Sequence, residues 1–144
     1  MTLAALVVDY GGVLDDFGYR SPGGGSGDGD EPAPLVTALE WFRGGGVVTA
    51  LLSNGDRPPA ELDCGRLFDV VAVSGETGLR KPEAASFRDV AERLELPPGR
   101  CVLLDDEPRN VTAAVAVGMV GVLHSDVRST LYELSVLFDL DSPG

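Results

Sequence analysis

Asp9, Ser53, Lys81 and the pair Asp105-Asp106 occur in that order, each just after an apolar run or at the start of the segment that follows one. Alone, each has an ordinary explanation, since acidic residues terminate strands and cap helices, serine fills turns and lysine sits on surfaces. Together their chemistry is complementary. A carboxylate can attack phosphorus, and a hydroxyl with a neighbouring backbone amide can hold phosphoryl oxygens. A lysine can neutralise charge, and further carboxylates can hold a hard dication such as magnesium.

Residues so far apart in the chain need a scaffold that gathers them. Short runs rich in Val and Leu at residues 3–8, 47–52, 69–73, 101–104 and 120–123 read as buried strands, each ending in a polar or turn residue. Between them, residues 34–43, 58–67, 82–94, 109–117 and 127–138 have helical spacing. The alternation predicts one α/β domain over residues 1–144, a Rossmann-like three-layer sandwich with a parallel five-stranded sheet. Any ligand then lies outside the carboxyl ends of the strands. Residues 21–31, rich in glycine and without apolar side chains to bury, read as a flexible loop, and residues 139–144 as a frayed tail.

Composition narrows the function further. The net charge of -12 opposes nucleic acid and anionic lipid, and the basic residues stand singly apart from Arg80-Lys81. A small substrate or a protein partner is expected, with no nucleic acid and no membrane. No apolar run approaches the roughly 18 residues of a membrane span, and a cytoplasmic protein with free thiols is expected. Cys64 and Cys101 read as small buried hydrophobes. Trp41 and Phe42 read as core or interface, His124 as structural, and Asn110 as a helix cap in preference to a supporting hydrogen bond.

Four segments carry a specific resemblance: Val8-Asp9-Tyr10-Gly11-Gly12-Val13-Leu14, Leu51-Leu52-Ser53-Asn54-Gly55, Gly78-Leu79-Arg80-Lys81-Pro82 and Val102-Leu103-Leu104-Asp105-Asp106-Glu107-Pro108-Arg109-Asn110. In order and spacing they resemble the four motifs of the haloacid dehalogenase-like superfamily, and the glycine turn after residues 113–117 is similar to the one following that family's fourth motif. The resemblance implies that Asp9 is a nucleophile forming an aspartyl phosphate. It also implies that Ser53 and the Asn54 backbone hold phosphate, and that Lys81 steadies both nucleophile and phosphate. Magnesium is implied at Asp9, Asp105, Asp106 and the backbone carbonyl of Gly11.

Two departures from the family pattern shape the expectation. Family phosphatases usually carry a second Asp two residues after the nucleophile, as general acid and base; Gly11 stands there instead. Such proton transfer contributes typically about 10²–10⁴-fold, so hydrolysis is expected to be impaired or specialised toward good leaving groups. Asp15 and Asp16 lie just downstream but are not read as substitutes. The insertion points of the family's cap domain are nearly empty, so the site is expected to be open and covered by a large substrate, a protein partner or a second copy of the chain. The leading expectation is a magnesium-dependent phosphohydrolase; an inactive binding or regulatory module is the alternative, and a dehalogenase a distant third.

Overall fold

The computed structural model describes residues 2–16 and 32–140. Five strands, β1 (Ala5–Val8), β2 (Val48–Ser53), β3 (Val70–Val73), β4 (Cys101–Asp105) and β5 (Val120–Leu123), form one parallel sheet in the order β3-β2-β1-β4-β5. β1 and β4 are buried throughout. Their unbroken aliphatic runs suit a sheet covered on both faces, as the sequence predicts.

Alternate side chains of each strand enter different cores. Leu6, Val8, Leu51 and Leu104 pack with Leu35, Leu39 and Phe42 of α1 (Pro34–Gly44) and with Leu134 of α6 (Val127–Leu137). Ala5, Val7, Ala50 and Leu103 pack with Phe87 and Val90 of α4 (Ala84–Arg93) and Ala114 of α5 (Pro108–Ala116). The result is the expected three-layer sandwich, and among the described residues no element forms a cap domain.

One expected helix shortens, one turn is added, and the first residues of the expected tail are held in place. The helix expected over 58–67 shrinks to one turn, α2 (Cys64–Leu67), whose Asp63 side chain accepts from the Arg66 amide. Pro58 and Pro59 lack amide donors and disfavour helix in the residues before them, so 54–63 remains an irregular loop. A further turn, α3 (Ser74–Thr77), follows β3 directly. Its Gly75 is needed for close approach, since an added Cβ would lie 2.3 Å from the Asp56 carbonyl oxygen.

The third change concerns the tail. Asp139 adopts a left-handed conformation, φ 54, and the Leu140 amide returns to the Ser135 carbonyl at 2.9 Å, closing α6 in the manner of a helix C-cap. Leu140 packs against the core around α1, so residues 139–140 are anchored. The rest of that tail and the glycine-rich loop 21–31 lie outside the described residues. Cys64 and Cys101 are free thiols, Cys101 buried; Phe42 is fully buried while Trp41 is largely exposed.

Candidate active site

β1 occupies the centre of the sheet, with β2 on one side and β4 on the other, and Val8 is in register with Leu104. The chain leaves β1 with the Asp9 amide bonded to the Leu104 carbonyl at 3.1 Å. Asp9 therefore stands beside Asp105, the fully buried last residue of β4. Two carboxylates this deep need compensation, and Lys81 supplies it. Its Nζ lies 2.6 Å from Asp105 Oδ2 and 3.1 Å from Asp9 Oδ1, with the side chain almost wholly buried.

Lys81 is delivered by a clamp. The Asn54 side-chain amide donates to the Lys81 carbonyl and its Oδ1 accepts from the Lys81 amide, both at 2.9 Å. The loop carrying Asn54 is itself tied to α3, where Ser74 Oγ accepts from the Gly55 amide at 3.0 Å. Because the Asn54 side chain is committed to Lys81, what it offers a ligand is its backbone. Ser53 ends β2 and lines the same cleft.

Asp105 orients more than it exposes. Oδ2 also accepts from Asn110 Nδ2 at 3.1 Å, and Oδ1 accepts from the Glu107 amide at 3.0 Å. This corrects the reading of Asn110: it lies inside α5, buried, and supports Asp105, whereas Glu107 occupies the cap position and accepts from the Arg109 amide. Asp106 is the exposed member of the pair. A Cβ on Gly12 would lie 2.0 Å from Asp106 Oδ2, and Gly12 has φ 80, so glycine serves there twice over.

Carboxylate oxygens of Asp9, Asp105 and Asp106 lie within 4.8 Å of one another. An all-oxygen anionic set of this kind suits a hard dication. Burial pushes the Asp9 pKa above the ordinary carboxylate value and Asp105 adds to the rise, while Lys81 offsets it only in part. Asp106 is raised for the same reasons, burial first and Asp105 second. Both shifts express negative charge in want of a counter-ion.

The cleft measures about 630 Å³ and brings together Asp9, Gly11, Ser53, Asn54, Lys81 and Asp105 of the expected set, while Asp106 lines an adjoining hollow with Gly12, Asp15 and His124. It also holds residues that the sequence reading passed over: Tyr10, Arg57, Glu61, Arg80 and Arg109. Tyr10 Oη donates to Glu61 Oε1, and that bond drives the Tyr10 pKa up to about 12. Tyr10, Arg80 and Arg109 lie inside the quoted motif segments and Arg57 and Glu61 just beyond one, which is their only sequence signal. Asp15 and Asp16 are engaged elsewhere: Asp15 accepts from the Gly12 amide at 2.6 Å, and Asp16 binds His124 Nε2 at 2.7 Å. His124, also bonded to Thr130, joins β5 to α6 and to the turn after β1, a structural part as expected.

Residues 28–118, which run from before α1 through α5, match the haloacid dehalogenase-like hydrolase family. The chain belongs to that family. The matched stretch begins after Asp9. A sesquiterpene phosphatase of Aspergillus oryzae is 31% identical over 113 residues, 73% of this chain and 56% of its own length. The bifunctional epoxide hydrolase 2 of Rattus norvegicus is 30% identical over 110 residues, 70% of this chain but 20% of its own length. The chain thus spans about half, or less, of the curated relatives it matches.

Among solved structures, an uncharacterized protein of Corynebacterium glutamicum superposes with a TM-score of 0.81 at 34% identity, covering 99% of both chains. A family enzyme of Bacteroides thetaiotaomicron, solved with magnesium and inorganic phosphate, gives a TM-score of 0.67 at 19% identity, covering 86% of this chain and 95% of that one. At that identity the second likeness speaks for the fold alone.

Proposed function

We propose that the chain is a magnesium-dependent phosphohydrolase in which Asp9 is the nucleophile. The observation that carries this reading is the buried Lys81 ammonium bridging Asp9 and Asp105 at the floor of the cleft. It fixes one Asp9 oxygen and places a positive charge where a phosphoryl group would gain negative charge. Asp9 and Asp106 would hold magnesium with the Gly11 carbonyl, and Asp105, already oriented by Lys81, Asn110 and the Glu107 amide, would complete or support the set. When bound, the ion neutralises charge on the phosphoryl oxygens. Ser53 Oγ and the Asn54 amide would hold the remaining oxygens.

In the first step an Asp9 oxygen attacks phosphorus and the leaving group departs with its electron pair. Water then cleaves the aspartyl phosphate, restoring Asp9 and releasing phosphate. No acid stands at residue 11 to protonate a departing alkoxide, so good leaving groups are favoured. The name of a relative, a sesquiterpene phosphatase, supports phosphoryl chemistry. Gly11 also favours a second reading, a binding module that keeps the phosphate pocket without turnover. Phosphate release from an aryl phosphate with magnesium decides between them: turnover abolished by Asp9→Asn is expected, and an inactive wild type would leave the binding module.

A further inference from the structure

The basic residues stand singly along the chain, yet the fold gathers four of the eleven, Arg57, Arg80, Lys81 and Arg109, into one cleft of a molecule with net charge -12. Three separate segments deliver the arginines. Arg57 comes from the loop after β2 and Arg80 from the loop after β3, on one side of β1, while Arg109 comes from the start of α5 after β4, on the other. They flank Asp9 from both sides.

Among the described residues the Arg57 and Arg80 guanidinium groups make no ion pair. Arg109 has only a long contact to Glu107, at 3.4 Å, with most of its side chain exposed. Two carboxylates also line the cleft away from its floor. Glu61 is bonded to Tyr10 and Glu107 caps α5, and neither makes an ion pair with Arg57 or Arg80. Lys81 is already consumed by Asp9 and Asp105. The mouth therefore holds two guanidinium groups, those of Arg57 and Arg80, with no ion-pair partner among the described residues, beyond the Lys81 ammonium at Asp9.

Gly11 leads to the same ligand by a different route. A nucleophilic Asp9 without a partner acid needs a leaving group that departs without a proton, and a phosphate is such a group whereas an alkoxide is not. A phosphate leaving group carries its developing charge away from Asp9, where arginine offers paired donors of matching geometry.

We propose that Arg57, Arg80 and Arg109 form a second anion subsite beside Asp9 and Lys81, and that the substrate is an organic diphosphate whose terminal phosphoryl group is transferred. The chemical step rests on the phosphohydrolase reading above; the subsite is a matter of binding. An Asp9 oxygen forms a bond to the terminal phosphorus as the bond to the bridging oxygen breaks. The electron pair stays on the bridging oxygen, and the organic monophosphate leaves as an anion held by the arginines. Water then adds to the aspartyl phosphate, giving inorganic phosphate, free Asp9 and a proton lost to solvent.

The test is calorimetric titration of the full chain in excess magnesium with two probes that cannot be hydrolysed, methylenediphosphonate and methylphosphonate. The wild type is expected to bind the diphosphonate at least about tenfold more tightly, in keeping with one or more charge-assisted hydrogen bonds. Arg57→Gln, Arg80→Gln and Arg109→Gln should each lower that ratio, and the triple variant should bring it near one. Equal affinities in the wild type, absence of binding by either probe, or a ratio that survives the triple substitution would overturn the subsite. Because no turnover is needed, the readings separate. A ratio that collapses as expected in a protein releasing no phosphate from aryl phosphates supports the subsite and overturns the nucleophile.

Discussion

Lys81 is one cation placed between two carboxylates, and Asp106 adds a third acidic group beside them. The raised pKa values of Asp9 and Asp106 give the consequence a sign. A carboxylate whose folded pKa lies above its unfolded value contributes stability below the unfolded value, and loses it as pH rises through the folded one. The metal-free protein should therefore be less stable at neutral pH than it would be without these charges. Asp106→Asn should raise the metal-free melting temperature at pH 7, and the gain should vanish toward pH 4. Since Asp106 is exposed, the gain stays below about 1 kcal/mol. Magnesium at a hundredfold excess over its dissociation constant should stabilise the wild type by about 2.7 kcal/mol and the variant by much less. Melting curves at the two pH values, with and without the ion, check both statements; identical responses of variant and wild type would remove Asp106 from the metal site.

Gly11 can be examined in the same way because its backbone is ordinary. Its φ and ψ are -65 and 126, and a Cβ there would meet no atom within 4 Å, so an aspartate enters without strain. Gly11→Asp should leave the fold intact, lowering the metal-free melting temperature only slightly as one more carboxylate joins Asp9 and Asp106, and raise turnover of alkyl phosphates relative to aryl phosphates. The gain is bounded by roughly the 10²–10⁴-fold value of general acid catalysis. A folded variant with no change in that ratio would show that leaving-group protonation does not limit the reaction.

At the scale of elements, the site depends on the loop over 54–63 and on the short turn α3 that props it. Gly75→Ala would drive a methyl group against the Asp56 backbone, and should cost about 1–3 kcal/mol, as overpacking does. Gly65→Ala, in α2 with open space around it, should be neutral or slightly stabilising. Urea unfolding of the two variants tests the contrast, and equal losses would mean that α3 does not bear on the loop. These elements mark where sequence legibility ended. The strands and long helices were legible because periodicity and aliphatic runs record burial, and burial decides them. The loop and α3 were not, because Pro58-Pro59 removes helix only through missing donors, and Gly75 matters only through a contact with Asp56 that pattern does not record. The motif residues Asp9, Ser53, Lys81 and Asp105-Asp106 were legible as a set. Asn54 as clamp, Asn110 as support of Asp105 and the arginine rim all depend on contacts between different loops.

At the scale of the molecule, chemistry and closure lie at opposite edges of the sheet. Asp9, Ser53 and Asp105 stand at the carboxyl ends of their strands, whereas Gly45 precedes β2 at the amino end, and there Leu140 packs on it. Phe138 adds a ring contact to Phe42, centroids 5.7 Å apart, so the last helix is fastened to the first. Leu140→Ala should therefore cost about 1–2 kcal/mol, the transfer energy of a partly buried leucine, with an unchanged denaturant slope because the folded surface is nearly the same. The effect should not reach the site. Residues that share no partners behave independently, so the double variant Leu140→Ala with Asp106→Asn should show additive stability changes within about 0.5 kcal/mol. Magnesium should stabilise the Leu140→Ala protein as it does the wild type. Urea titrations of the four proteins, with and without the ion, supply both comparisons. A coupling well above that limit, or a weaker magnesium response in Leu140→Ala, would mean that the fastening of α6 to α1 is transmitted through the sheet to the carboxylates.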